Sequence, residues 1–214
     1  MKPTLLLLLL ISGLYSQAQI TDVDGNSYDT VRIGTQTWMA ENLNVSRFRN
    51  GDTIPEAKSD EEWLRAGENQ QPAWCYYQND PKNGNVYGKI YNWYAVNDSR
   101  GLGPEAWHVA TELEWTVLTD YLGGDSIAGA TLKSTSGWLE NGSSTNESGF
   151  LGLPGGCRSH VGSYYGIGEF GFYWNIPDGY SSLSWSSYLY YGNGSLYVGF
   201  YNIGRGFSVR CVKN

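Results

Sequence analysis

From Gly137 to the C-terminus the chain offers no apolar spacing of three and four residues that would mark a helix. Gly, Ser, Asn and aromatic residues dominate instead, with turn dipeptides at Asn141-Gly142 and Asn193-Gly194. This half must therefore be β-strands and loops, and any helices belong to the first half. The last segment, GFSVRCV (206–212), alternates in side-chain character and reads as one closing strand.

The first half has clear local signals. Alternating apolar residues flank Asp24-Gly25-Asn26, which predicts a β-hairpin. Asp22, Asp24 and Asn26 superficially match a calcium loop, but the glycine comes one position early and Ile33 stands where a bidentate Glu would be needed. Ser59 and Glu62 form a capping box opening a short helix, with Gly67 near its end. Asn79 to Asn85 is polar and turn-rich. YGKIYNWYAV (87–96) suits a strand or a short buried helix. Trp107-His108-Val109 reads as extended. Thr111 and Glu114 form a second capping box, and Gly123-Gly124 stops that helix. Its apolar face is predicted from Leu113, Val117 and Tyr121, with Leu118 and Leu122 beside them. The fold class is α+β: two short helices, a twisted antiparallel sheet, and a long glycine- and tyrosine-rich loop and β half.

Lys2, the apolar run Leu5 to Ile11 and the small-x-small pattern Ser16-Gln17-Ala18 predict a signal peptide over 1–18, leaving a single domain over 19–214. Losing Lys2 takes the net charge from −7 to −8, a poor match to nucleic acid or to anionic membranes. No later run approaches the roughly 18 apolar residues of a membrane span. The expected location is outside the cytoplasm, secreted or at the cell surface. In an oxidising compartment Cys75, Cys157 and Cys211 are expected to give one disulfide and one free thiol, with three pairings open.

Five blocks occur in order: WMAENLNV (38–45), YGKIYNWYAV (87–96), AWHVATELEWTVLTDYLGG (106–124), STNESGFLGLPGG (144–156) and GFSVRCV (206–212). Together they closely resemble the Fibrobacter succinogenes major paralogous domain. The resemblance covers essentially the whole of 19–214. It implies a C-type-lectin-like fold, distantly similar to the formylglycine-generating sulfatase-modifying proteins, whose "W-x-[LV]-P-T-E-x-E-W" and "G-F-R-C" blocks match Trp107 to Trp115 and Gly206 to Cys211. The family usually has Cys where this chain has Gly103, and that Cys would pair with the one matching Cys211. Ala110 replaces the usual Pro before Thr111. The family's "W-W-S-S-T" block appears here, much altered, as Tyr173-Trp174-Asn175-Ile176-Pro177.

Catalytic constellations are weak. The sulfatase-modifying enzymes use a closely spaced, copper-binding cysteine pair late in the chain; Cys157 and Cys211 are far apart in sequence, and neither has a neighbouring His. No G-x-S-x-G elbow accompanies His108 or His160. His108 is expected to act as a structural hydrogen-bonding group. Glu112 and Glu114 are accounted for by helix capping. Gly166 to Gly171 matches G-x-G-x-x-G by letter but lacks the strand–helix context of a nucleotide site. Calcium-dependent sugar binding has little support: the E-P-N or Q-P-D and W-N-D signatures of carbohydrate-binding lectins are absent, leaving Glu169, Asn175 and Asp178 as oxygen donors.

The segment from Gly155 to Gly204 holds nine Tyr, eight Ser, eleven Gly, three Asn and two Trp, but only three charged residues. Antibody paratopes share this mixture, because Tyr gives a large amphipathic contact at low entropy cost while small polar residues adapt. Phe170, Phe172 and Phe200 are expected in the core. Tyr164, Tyr165, Tyr173, Trp174, Asn175, Asp178, Trp185, Tyr188, Tyr190, Tyr197 and Tyr201 are the expected ligand contacts, with Tyr191 as a neighbour. A non-enzymatic module binding an extracellular carbohydrate or protein follows. The alternatives are an enzyme with the sulfatase-modifying fold and a structural envelope protein. Some C-type-lectin-like proteins diversify such a C-terminal segment, so the resemblance also admits a variable binding face.

Overall fold

The structure is a computed structural model describing residues 19–141, 143–177 and 185–214. The segment read as a signal peptide lies outside the described residues, and so does Asp178.

Both capping boxes form. Helix α1 (Asp60–Glu68) opens with Ser59 Oγ accepting from the Glu62 N–H at 3.1 Å, while Glu62 accepts from the Ser59 N–H at 3.1 Å. It runs through Gly67 to Glu68, one residue beyond the break that the glycine suggests, and Asn69 is its C-cap. Helix α4 (Glu112–Tyr121) opens in the same way on Thr111 and Glu114. Gly123 and Gly124, at φ of 95° and 99°, then turn the chain where an L side chain is disfavoured.

Three further helices correct the expected count of two: α2 (Pro81–Tyr87), α3 (Trp93–Val96) and α5 (Asp125–Leu132). Segments 79–85 and 87–96 thus contain helical turns as well as a strand. Helix α5 carries no clear signal in the sequence because Gly129 sits in its middle, where propensity is poor. Packing supplies the reason for that glycine: a Cβ there would lie 2.3 Å from the Ser195 carbonyl oxygen.

The strands form two sheets. The first joins β1 (Gln19–Thr21), β2 (Ser27–Ile33), β3 (Gln36–Met39), β13 (Cys211–Lys213) and β6 (Trp107–Val109), so it contains both the first and the last strand. The β1–β2 hairpin is held by Asp22, whose carboxylate accepts from the Asp24 and Asn26 backbone N–H groups, the Asn26 amide and the Tyr28 hydroxyl. The second sheet runs β11 (Leu196–Phe200), β10 (Trp185–Tyr190), β9 (Phe170–Asn175), β7 (Gly155–Arg158), β12 (Gly206–Phe207), β5 (Ile90–Asn92) and β4 (Trp74–Cys75), with β8 (Tyr164–Ile167) also on β7. All pairings are antiparallel except β7 with β9.

The block 206–212 is therefore not one strand. Its first residues belong to the second sheet and its last to the first. Ser208 exchanges backbone hydrogen bonds with Phe172 and Trp174, and the Val209 and Arg210 carbonyls then accept from the Leu43 and Ala110 N–H groups. The Arg210 guanidinium is wholly buried and donates to Asn42 Oδ1 and to the carbonyls of Met39, Phe150 and Leu151. It also lies 4.2 Å from the Phe150 ring centroid. A buried cation is tolerated only with its donors satisfied, and here they cross-link the two halves of the chain.

The core contains a cluster of Trp38, Trp115, Phe150 and Tyr173, with Trp38 and Trp115 edge-to-face at 5.1 Å. Helix α4 contributes Trp115 and Leu118 to it, and the half-buried C-cap Leu122 packs against it. The expected apolar face is overturned in its main stripe, Leu113, Val117 and Tyr121 being 59%, 39% and 65% exposed, while Leu118 and Leu122 beside it do pack inward. No cysteine is paired either. Cys75, Cys157 and Cys211 are all free and buried, contrary to the expected single disulfide. Cys211 Sγ instead faces Gly103, where an added Cβ would sit 3.2 Å away, and Gly103 offers it no sulfur.

Candidate functional site

Strand alternation and register decide which aromatic side chains share a surface. Tyr188 is paired with Phe172 and Tyr197, and Tyr190 with Phe170. These five rings therefore project from one face of β9–β11. Leu189, Leu196 and Tyr173 project from the other, and pack into the core cluster that holds Leu118 of α4 and Ala128 and Leu132 of α5.

The first face carries a continuous aromatic ridge. Phe170 stacks on Tyr190 at 4.9 Å and on Phe172 at 5.4 Å. Tyr188 lies 5.3 Å from Phe172 and stacks on Tyr197 at 5.0 Å, 13° from parallel. Tyr201 meets Phe172 edge-on at 5.7 Å. The Arg205 guanidinium lies 5.5 Å from the Tyr165 ring and 5.2 Å from the Tyr201 ring, and it donates to the Tyr165 hydroxyl. Tyr165 is exposed, whereas Tyr188, Tyr190, Tyr197, Tyr201 and Arg205 are half-buried. Burial pushes the Tyr201 phenol up to about 12 and raises that of Tyr188, so both stay protonated donors at neutral pH. The Asn193 amide donates to the Tyr197 hydroxyl at 2.8 Å and fixes its position.

Five of the eleven expected contacts thus come together: Tyr165, Tyr188, Tyr190, Tyr197 and Tyr201. Tyr173, Trp174 and Asn175 do not belong with them, because each is fully buried. Tyr173 is core, and the Trp174 indole donates to the Tyr91 carbonyl at 2.8 Å. The Asn175 amide is committed to Ser187 through both its atoms. Tyr164 braces β8, its hydroxyl donating to Asn79 Oδ1 and its ring lying against Tyr77 and Arg158. Trp185 is on the opposite face of β10, against Phe200. Phe200 itself is 54% exposed, not core as expected. Arg205 joins the tyrosine ridge without any signal in the sequence, since nothing local distinguishes it from any other loop arginine.

Of the three calcium donors, Asp178 lies outside the described residues. Asn175 has both amide atoms occupied, and among the described residues no three His, Cys, Asp or Glu side chains cluster as a metal site. His108 has both ring nitrogens engaged: Nε2 lies 2.9 Å from both Glu114 oxygens and Nδ1 lies 2.6 Å from Asn214 Oδ1. This ties β6, α4 and the C-terminus together and gives Glu114 a partner beyond its cap. His160 is exposed in the turn after β7. The three thiols are each pushed up by burial, Cys75 to about 11 and Cys211 to about 12, which opposes thiolate chemistry at neutral pH.

The family model for the Fibrobacter succinogenes major domain matches residues 31–213, all five blocks included. The chain belongs to this family. No curated protein and no solved structure matches it. In this member of the Fibrobacter succinogenes major domain family, the shared blocks build the frame: Trp38, Met39, Leu43 and Val45 of the first are buried, as are Trp107, Val109, Trp115 and Leu118 of the third. The tyrosine ridge spans the stretch between the fourth and fifth blocks. Among the described residues no helix is long and apolar enough to cross a membrane.

Proposed function

We propose that this chain is a non-enzymatic recognition module, exported from the cytoplasm and of C-type-lectin-like architecture, that binds a carbohydrate or protein at a cell surface. The observation that carries the reading is the ridge of Tyr165, Tyr188, Tyr190, Tyr197 and Tyr201 with Arg205 on one face of the β8–β11 region. Half-exposed tyrosines held by mutual stacking lose little entropy on binding, and each offers an apolar ring with a polar tip. A half-exposed aromatic surface of this kind suits a binding face. Closure of the first and last strands into one sheet accords with the lectin-like reading. The enzyme reading has less support, because the cysteines are buried and both nitrogens of His108 are engaged.

A glycan array and a cell-surface protein pull-down with residues 19–214 test it, run with and without calcium. Tyr165→Ala and Tyr197→Ala should each weaken a hit by about tenfold, or roughly 1.4 kcal/mol, with the melting midpoint little changed. Binding that survives both substitutions together would place recognition elsewhere.

A further inference from the structure

A second cleft, none of whose residues belongs to the tyrosine ridge, lies where α3 meets the 70–72 segment and the loop around Ile203. It encloses about 350 Å³, at the lower end of small-molecule sites. Its walls are tied together. The buried Asn92 side chain donates to the Gln71 carbonyl and accepts from the Ala73 and Ala95 N–H groups, and the Trp93 N–H donates to the Ile203 carbonyl. The half-buried Trp93 ring is held edge-on against the buried Trp174 at 5.4 Å. Around it stand Gln70, Tyr94, Asn97 and Ser99, whose side chains make no hydrogen bond to the described protein. Gln70 is fixed at φ 55° as the left-handed residue that closes α1, its N–H donating to the Gly67 carbonyl and the Gln71 N–H to the Ala66 carbonyl. The one charged lining group, Asp98, is already neutralised by Arg100 through two hydrogen bonds of 2.8 and 2.9 Å.

We infer that this cleft is a binding site for a neutral carbohydrate, with the Trp93 ring as the platform for an apolar sugar face. The Gln70 and Asn97 amides and the Tyr94 and Ser99 hydroxyls hydrogen-bond the ring's hydroxyl groups. A fixed aromatic plane beside uncommitted amides and hydroxyls is complementary to a pyranose, which has one apolar face and a polar edge. With Asp98 paired to Arg100, the lining residues present no unpaired charge, which suits a neutral ligand. The platform and the cleft walls are set before binding, so little ordering entropy is lost there.

The test is NMR titration of the isotope-labelled 19–214 chain with cellobiose, maltose, xylobiose and chitobiose, each to about 20 mM, where even a millimolar ligand is detected. At least one should shift the Trp93 indole N–H and the Tyr94 amide signals. Tyr94→Ala with Asn97→Ala should then weaken that ligand by about tenfold or more. Tyr94→Phe and Gln70→Ala serve as gentler variants if the pair unfolds. Tyr165→Ala and Tyr197→Ala should leave this binding unchanged, so failure of the ridge reading and failure of this one are separable. No shift at Trp93 or Tyr94 with any of the four sugars would overturn the inference. So would binding that Tyr94→Phe, Gln70→Ala and the double variant all leave intact.

Discussion

At the scale of single residues, Gly103 and Gly129 show how a missing Cβ is used in two ways. Gly103 faces the Cys211 sulfur, and its φ lies in the ordinary negative range. An added Cβ 3.2 Å from that Sγ is placed for disulfide geometry, as the family's usual Cys implies. Gly103→Cys should therefore cross-link when the variant is refolded under oxidising conditions, where both thiols are still accessible. Thiol titration of the denatured, unreduced variant should fall by one from the parent's three. Stability should rise by about 2–4 kcal/mol, reduced by crowding against the Trp107 carbonyl, and a denaturant titration reads it. Gly129 is the opposite case. Helix propensity alone favours Gly129→Ala by about 1 kcal/mol, but a Cβ would lie 2.3 Å from backbone oxygen, which cannot swing away. Overpacking wins, and the substitution should destabilise by about 1–3 kcal/mol in the same measurement.

At the scale of elements, helix α4 separates what a helix start encodes from what its burial requires. The Thr111–Glu114 box is a contact three residues long, so the sequence displays it directly. The choice of face is not local. Two apolar stripes run along α4, and the partner surface of Trp38, Phe150 and Tyr173 comes from distant segments. Val117→Gln should shift stability by no more than about 0.5 kcal/mol, whereas Leu118→Ala should cost about 2–5 kcal/mol. Equal costs at the two positions, in chemical denaturation, would restore the Leu113–Val117–Tyr121 face. The closing block behaves similarly: GFSVRCV alternates as a strand should, yet the change of sheet at Ser208–Arg210 depends on four acceptors lying far away in sequence.

At the scale of the whole molecule, burial of weakly acidic groups sets the alkaline limit. Burial raises the Cys75, Cys157 and Cys211 thiols and the Tyr28, Tyr91, Tyr164, Tyr173 and Tyr201 phenols. A raised pKa in the folded state contributes stability that is whole below the unfolded value and is lost as pH climbs through the folded one. For Cys75 that window runs from 9.0 to about 11, and for Cys211 from 9.0 to about 12. Lys89 and Lys133, lowered by burial, act in the opposite sense, gaining stability as pH rises. The eight thiols and phenols outnumber them, so the urea midpoint should hold steady near neutrality and fall progressively above about pH 9. A midpoint that rises between neutrality and pH 10 would mean the lysines dominate.

The sequence by itself determined the features whose causes lie within a few residues. These are the β1–β2 hairpin, both capping boxes, the Gly123-Gly124 stop, the helix-poor C-terminal half, and the ordered blocks that mark the family. It also singled out the segment that carries the proposed binding surface, because a Tyr, Ser and Gly composition is visible without coordinates. Only the tertiary structure decided which tyrosines share a face. Strand register places Tyr188 beside Tyr197 and sends Tyr173 and Asn175 inward, and register is fixed by partners across the sheet. Arg205 and the Trp93 cleft were hidden for the same reason: each is assembled from separate segments, and sequence order does not specify their spatial convergence.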